Sequence, residues 1–254
     1  MIEHNNNTNS LAKSREAGQN GANKPVRINK FIAQAGIASR RGVDQLIKSG
    51  KVLVNNEKAK TGIQINPEID KVVVGGKEVK PVSDFQYFAF YKPVGYITSS
   101  SDEQGESIKK FLPKENRLFS VGRLDKETEG LLILTNDGDF ANELAHPSFT
   151  KEKVYHLEYG GKPTTLGKEG IIRQFLKGIM HNSKRYYVDK ARFVADNKLE
   201  VTLHQGRSRQ LRIMAGKIGL EVLNLKRVQV GKLKLSKLGL KPGQMVKVLK
   251  EDIL

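Results

Sequence analysis

Asp125 is the side chain in this sequence best placed to do chemistry. It lies in Val121-Gly122-Arg123-Leu124-Asp125-Lys126-Glu127-Thr128-Glu129-Gly130-Leu131-Leu132, between a strand start and an apolar run, with Arg123 and Lys126 on its two sides. A carboxylate held beside an arginine keeps its charge and gains a fixed direction, which a catalytic aspartate needs. Other chemistries find no support. The chain has no cysteine, so thiolates and disulfides are excluded. The five histidines, His4, His146, His156, His181 and His204, lack metal-ligand spacing, and no Gly-rich phosphate loop is present. Neither a metal nor a cofactor is expected.

The elements around Asp125 must hold it. Strand-like runs occupy residues 87–91, 130–135, 154–159, 198–204 and 222–230. Helical patterns cover residues 106–111, 139–145, 165–174 and 208–218. Strands mixed with unevenly spaced helices predict an α+β catalytic domain over residues 85–254, built on a mixed and mainly antiparallel sheet. Lys92 and Pro93 follow the first of these strands and read as turn-shaping residues.

A different domain is expected ahead of it. Residues 1–24 are polar and Asn-rich, which predicts a disordered tail. Ile28, Phe31, Ile32 and Ala35 then share one helical face, Gly36 is placed to end that helix, and Ser39 is placed to cap the next. The second helix turns Val43, Leu46 and Ile47 inward and ends near Gly50. Arg40 and Arg41 sit in its first turn, where two like charges oppose the helix dipole by about 0.3 kcal/mol or more each. Phosphate partners would offset that cost. Val52–Val54 runs into Asn55-Asn56 and Val72–Val74 into Gly75-Gly76, two hairpin signals. A small helix–helix–hairpin domain is therefore expected over residues 25–82, with residues 81–84 as a linker.

Charge agrees with a polyanionic partner. The net charge is +17. Residues 25–60 carry eight Lys and Arg against Asp44 and Glu57, and residues 203–250 carry twelve against Glu221. These two blocks hold the entire excess, the pattern of a two-part RNA footprint. No segment has the roughly 20 apolar residues of a membrane span, and no signal-peptide pattern occurs, so a cytoplasmic protein is expected. No heptad or extended apolar surface helix stands out, so a monomer is expected.

The Gly-Arg-Leu-Asp stretch at 122–125, followed by Thr128-Glu129-Gly130-Leu131-Leu132 and Thr135-Asn136-Asp137-Gly138, resembles the active-site motif of the ribosomal RNA pseudouridine synthases. Lys92-Pro93-Val94-Gly95, Lys153-Val154-Tyr155 and Gly206-Arg207-Ser208-Arg209-Gln210-Leu211-Arg212 match the same pattern in order. The first domain, with Arg27-Ile28-Asn29-Lys30-Phe31-Ile32 and Gly36-Ile37-Ala38-Ser39-Arg40-Arg41, resembles the alpha-L RNA-binding module first described in a small-subunit ribosomal protein.

The resemblance implies isomerisation of a uridine to pseudouridine without a cofactor. It implies Asp125 as nucleophile or base, Tyr155 as the platform for the flipped base, and Arg212 as the partner that keeps Asp125 ionised and aimed. Arg123 would enter the gap left by that base, and Arg207 and Arg209 would meet phosphates. Arg27, Lys30, Arg40 and Arg41 would bind RNA from the first domain. Two departures stand out. Gly42 replaces the module's usual glutamate, which predicts a looser helix start, and Ile213 replaces a second arginine. His146-Pro147-Ser148 leans toward the large-subunit (23S) enzymes. The implied partner is ribosomal RNA or an assembly intermediate. The alternative is a non-catalytic RNA-binding or assembly factor on the same fold.

Overall fold

Ile28, Phe31, Ile32, Val43, Ile47, Val52, Ile65 and Val72 close a small core of their own, in the first of two compact units, Met1–Ser83 and Asp84–Leu254. The computed structural model describes residues 25–80, 82, 84–98, 105–113, 117–145, 151–161, 166–204 and 206–254. The expected tail over residues 1–24, two linker positions (Pro81 and Ser83) and His146-Pro147-Ser148 lie outside the described residues.

In the first unit, β1 (Val26–Arg27) leads into α1 (Ile28–Gln34), and α2 (Arg40–Lys48) follows. The loop between the helices turns at Gly36, in the left-handed region at φ 79°. The Ser39 side chain accepts a hydrogen bond from the Gly42 N–H at 3.0 Å, so the α2 cap forms without a glutamate at position 42. Asn29 donates to Asp44 at 3.0 Å and accepts from Arg40 at 3.3 Å, tying the two helices together and fixing Arg40.

The two hairpins are β2 (Val52–Val54) with β3 (Glu57–Lys58), and β5 (Val72–Val74) with β6 (Lys77–Glu78). Asn55, Asn56, Gly75 and Gly76 all have positive φ, as type I′ turns require. The hairpins are not separate, because β2 and β5 pair with each other and give a four-stranded sheet of order β3-β2-β5-β6. β1 pairs separately with β4 (Gln64–Ile65).

The second unit is built on one mixed sheet. Its strands are β7 (Tyr87–Lys92), β8 (Phe119–Val121), β9 (Glu129–Thr135), β10 (Lys153–Gly160), β13 (Lys190–Ala195), β14 (Lys198–Leu203), β15 (Glu221–Val230), β16 (Leu233–Lys234) and β17 (Met245–Lys247). The order is β13-β14-β10-β15-β9-β7-β17, with β8 on β9 and β16 on β15. Every pairing is antiparallel except β9 with β15. The fold is α+β.

Both faces of the sheet are covered, which is why β9 reads as an unbroken apolar run. Phe90, Leu132 and Leu134 face one way, into a cluster with α4 (Lys168–Lys177) and α5 (Gln210–Lys217). Ala89, Leu131 and Ile133 face the other, toward α3 (Gly138–Ala145) and Ile253 of α6 (Lys250–Ile253). The helix expected over 106–111 is a short 3-10 turn, Ile108–Phe111. The hairpin of β11 (Ile179–His181) and β12 (Lys184–Tyr186) is not legible in the periodicity, nor are β13, β16 and β17. Among the described residues no helix is long and apolar enough to cross a membrane.

The parallel joint is the tightest point of the sheet. Gly130 faces Arg227 at φ 112°, and a Cβ there would stand 2.3 Å from the Arg227 carbonyl oxygen. Only glycine lets these two backbones come so close.

Candidate active site

Asp125 lies in the loop from β8 to β9, which the chain anchors from several sides. Gly122 turns out of β8 at φ 73°. Thr98 then holds Leu124 twice, its hydroxyl accepting from the Leu124 N–H at 3.2 Å and donating to the Leu124 carbonyl at 2.7 Å. Gly95 N–H donates to the Lys126 carbonyl at 2.8 Å. The Thr128 N–H closes a turn onto the Asp125 carbonyl at 3.0 Å. Asp125 itself is partly buried, between buried Leu124 and buried Thr128.

Lys92 is the deepest of these anchors. Its side chain is fully buried, and its ammonium donates to the carbonyls of Pro93, Asp125 and Thr128 at 3.0, 3.1 and 2.8 Å. Burial pushes its pKa down to about 8, while Asp125 and Glu127 pull it back up. Lys92 is therefore more than a turn-shaping residue, being the peg on which the loop hangs. Lys92→Met leaves three carbonyls facing an apolar group, so a loss of about 3 kcal/mol or more is expected from denaturant unfolding.

Tyr155 and Asp125 line one cleft of about 260 Å³, with Gly122, Arg123, Leu203 and Arg207. That volume lies just below the usual range of ligand sites, about 300–1,000 Å³. Among the described residues, nothing donates a hydrogen bond to the Asp125 carboxylate. Neither Arg123 nor Arg212 is paired with it. The Arg212 Nη2 donates to the Glu127 carbonyl at 2.8 Å, and its buried Nε has no partner among the described residues. Burial lowers the Arg212 pKa, against the pull of Glu127 and Asp125.

Arg209, at φ 53° just before α5, is taken up by Glu127 at 2.9 Å. Arg207 donates to the Arg185 carbonyl at 2.8 Å and stacks 5.0 Å over Tyr186. Arg123 is exposed. The catalytic-motif residues thus come together, but the arginine contacts on the loop go to Glu127 in place of Asp125.

Two further cations lie beside this cleft, Lys153 of the Lys153-Val154-Tyr155 motif and Arg227, which does not stand out in the sequence. Arg227 is 3% exposed and is the direct cross-strand neighbour of Tyr155. Its Nε donates to the Leu131 carbonyl at 2.7 Å, and its Nη1 reaches the Tyr155 hydroxyl at 3.4 Å. Lys153, two residues before Tyr155 and so on the same strand face, is partly buried nearby. The signal that could have found Arg227 is a charge set inside the otherwise paired pattern of β15. In the first unit, Arg27 ends β1, Lys30 lies on α1, and Arg40 and Arg41 open α2.

Sequence and structure comparisons with known proteins point to one family. A family model described as RNA pseudouridylate synthase matches residues 86–217, and an S4 domain model matches residues 26–68. Ribosomal large subunit pseudouridine synthase B of Bacillus subtilis is 38% identical over 220 residues, covering 82% of this chain and 87% of its own length. The dual-specificity RNA pseudouridine synthase RluF of Escherichia coli is 36% identical over 213 residues, covering 83% of this chain and 72% of its own. A crystal structure of a pseudouridylate synthase superposes with a TM-score of 0.64 at 26% identity, covering 90% of this chain and 98% of the other.

Proposed function

The chain belongs to the RNA pseudouridylate synthase family, and on that basis we propose that it isomerises one uridine of large-subunit ribosomal RNA. The C1′–N1 bond breaks, the base turns while held, and a C1′–C5 bond forms. The proton lost from C5 balances the one gained at N1, so nothing is oxidised, added or released.

The observation that carries this reading is a partly buried carboxylate, without a hydrogen-bond donor among the described residues, sharing a cleft with an aromatic ring. Asp125 acts at C1′ as nucleophile or base while the sugar becomes electron-poor. Tyr155 supports the flipped base, which must leave its stack to be reached. Arg212 acts through the loop, fixing the Glu127 carbonyl two residues beyond Asp125. Arg123 fills the space the base vacates, and Arg207 steers phosphate. Arg209 does so only if it exchanges Glu127 for RNA.

The first unit adds a second footprint through Arg27, Lys30, Arg40 and Arg41. Two contacts on one RNA raise effective concentration, so neither has to be tight alone. Replacing Arg40 and Arg41 by Gln is expected to lower the slope of log K against log salt by about two. Turnover at saturating RNA stays unchanged. Filter binding at several salt concentrations, with single-turnover assays, measures both. On the same reading the protein acts in the cytoplasm as a monomer, on ribosomal RNA or an assembly intermediate.

A carbodiimide–primer-extension map of both ribosomal RNAs tests the function. Cells with the protein, without it, and with only Asp125→Ala are compared. One stop in large-subunit RNA present only with the intact protein supports the reading. Identical stops in all three overturn it.

A further inference from the structure

A second cleft adjoins the first. It measures about 320 Å³ and shares Gly122, Arg123, Tyr155, Gly206 and Arg207 with the Asp125 cleft, but not Asp125 itself. Its added walls include Lys153 and Arg227. Four cations therefore surround it, and no carboxylate among the described residues lines it.

These cations differ from others in this unit. Arg209 pairs with Glu127, Arg192 with Glu200, Lys168 with Asp196 and Lys190 with Glu152. Among the described residues, none of the four cleft cations has an acidic partner. Among the described residues, the Lys153 ammonium finds only the Lys151 and His204 carbonyls, at 3.5 and 3.3 Å. Arg227 uses Nε and Nη1 on Leu131 and Tyr155, and its Nη2 donates to no protein group among the described residues. Burial and the nearby Arg227 charge push the Lys153 pKa down to about 8.

Holding a guanidinium and an ammonium close together, partly out of water and without a counter-ion, is costly. An anion entering the cleft removes that cost and gains charge-assisted hydrogen bonds. We propose that this second cleft is a phosphate subsite, in which Lys153 and Arg227 bind a phosphodiester next to the uridine held in the Asp125 cleft. The shared wall of Arg123, Tyr155 and Arg207 makes the two clefts neighbours on one RNA strand. Arg227 then joins both sites, with its guanidinium toward the phosphate and its hydrogen bond on the hydroxyl of the platform tyrosine. This inference rests on the proposed RNA substrate.

Lys153 is the residue to test, because Arg227 also braces β9 through Leu131. Full-length wild type, Lys153→Met and Lys153→Arg are titrated with large-subunit ribosomal RNA from cells lacking the protein, over a range of KCl. Lys153→Met is expected to bind about tenfold more weakly at low salt. It should also lower the salt slope by about one, the mark of one lost phosphate contact. Lys153→Arg should restore both. Unchanged affinity and slope in Lys153→Met overturn the subsite. So does a loss with an unchanged slope that arginine fails to rescue, since that is packing. Pseudouridine formation by the wild type is scored on the same RNA. If it fails while the slope changes as expected, the isomerase reading falls and the subsite stands. Normal pseudouridine formation with no change in slope removes the subsite and leaves the isomerase standing.

Discussion

Asp125→Asn is expected to abolish turnover while leaving the fold and RNA affinity as they are. The substitution keeps the shape of the side chain and removes only its charge. No described group donates a hydrogen bond to this carboxylate, so among the described residues no such bond is lost with it. The change in stability should stay within about 0.5 kcal/mol. The loop is held by Lys92 and Thr98, whose hydrogen bonds go to main-chain oxygens and not to the Asp125 carboxylate. On the proposed role of Asp125 as nucleophile or base, turnover should fall on the order of ten-thousandfold or more. Single-turnover pseudouridine formation and filter binding on one RNA preparation measure the two quantities side by side. A variant that still turns over within tenfold of wild type would remove Asp125 from the chemistry. Loss of binding in parallel with turnover would mean that the carboxylate organises the cleft.

The largest structural effect belongs to Gly130→Ala. The new methyl would stand 2.3 Å from the Arg227 carbonyl oxygen and 2.7 Å from the Arg227 nitrogen. Both are backbone atoms, and no side chain can swing aside to make room. The φ of 112° adds conformational strain of its own. β9 and β15 must move apart, at a joint whose backbone pairing is short. Lys226 and Arg227 face Glu129 and Gly130 over two residue pairs. Around them, Glu129 accepts from the Tyr91 hydroxyl at 2.9 Å and from Asn224 at 3.1 Å. A loss of about 4 kcal/mol is expected, at the high end for single substitutions. For a unit of this size that lowers the melting temperature by about 10 °C. Calorimetry checks it. Activity should fall further than stability does, because separating the strands pulls Arg227 away from Tyr155.

Local features are legible in the sequence wherever they depend on near neighbours. Ser39 caps α2 through a hydrogen bond three residues away, and Asn55-Asn56 and Gly75-Gly76 make the turns their types demand. The strand that follows the Asp125 loop, β9, is legible as an apolar run, whereas the short β8 before it is not. What stays hidden depends on register between distant strands. Arg227 touches Tyr155 only because β10 and β15 pair with shifts at Val154/Tyr155 and Glu158/Tyr159. No pattern within β15 announces those shifts.

Lys92 resembles part of a turn because its three carbonyl partners leave no trace in side-chain chemistry. The contact that Arg212 makes on this loop is hidden for the same reason. A main-chain oxygen at Glu127 takes its hydrogen bond, and any residue at that position would present one. The helix expected over 106–111 contracts to a 3-10 turn, whose cap at Ser107 accepts from the Lys109 N–H.

The topology also sets a timetable for synthesis. The first unit is made of short hairpins and adjacent helices, so its contacts are complete once its own residues have been translated. The second unit is different. β7 takes β17 as a neighbour, with Phe90 against Met245, and β9 waits for β15. Pairings of such long separation form late and slowly. At about 5–20 residues per second, translation of residues 84–254 takes roughly ten to thirty seconds. During that interval the nascent chain carries a finished basic module and an unfinished catalytic sheet. It is competent to hold RNA before it is competent to change it.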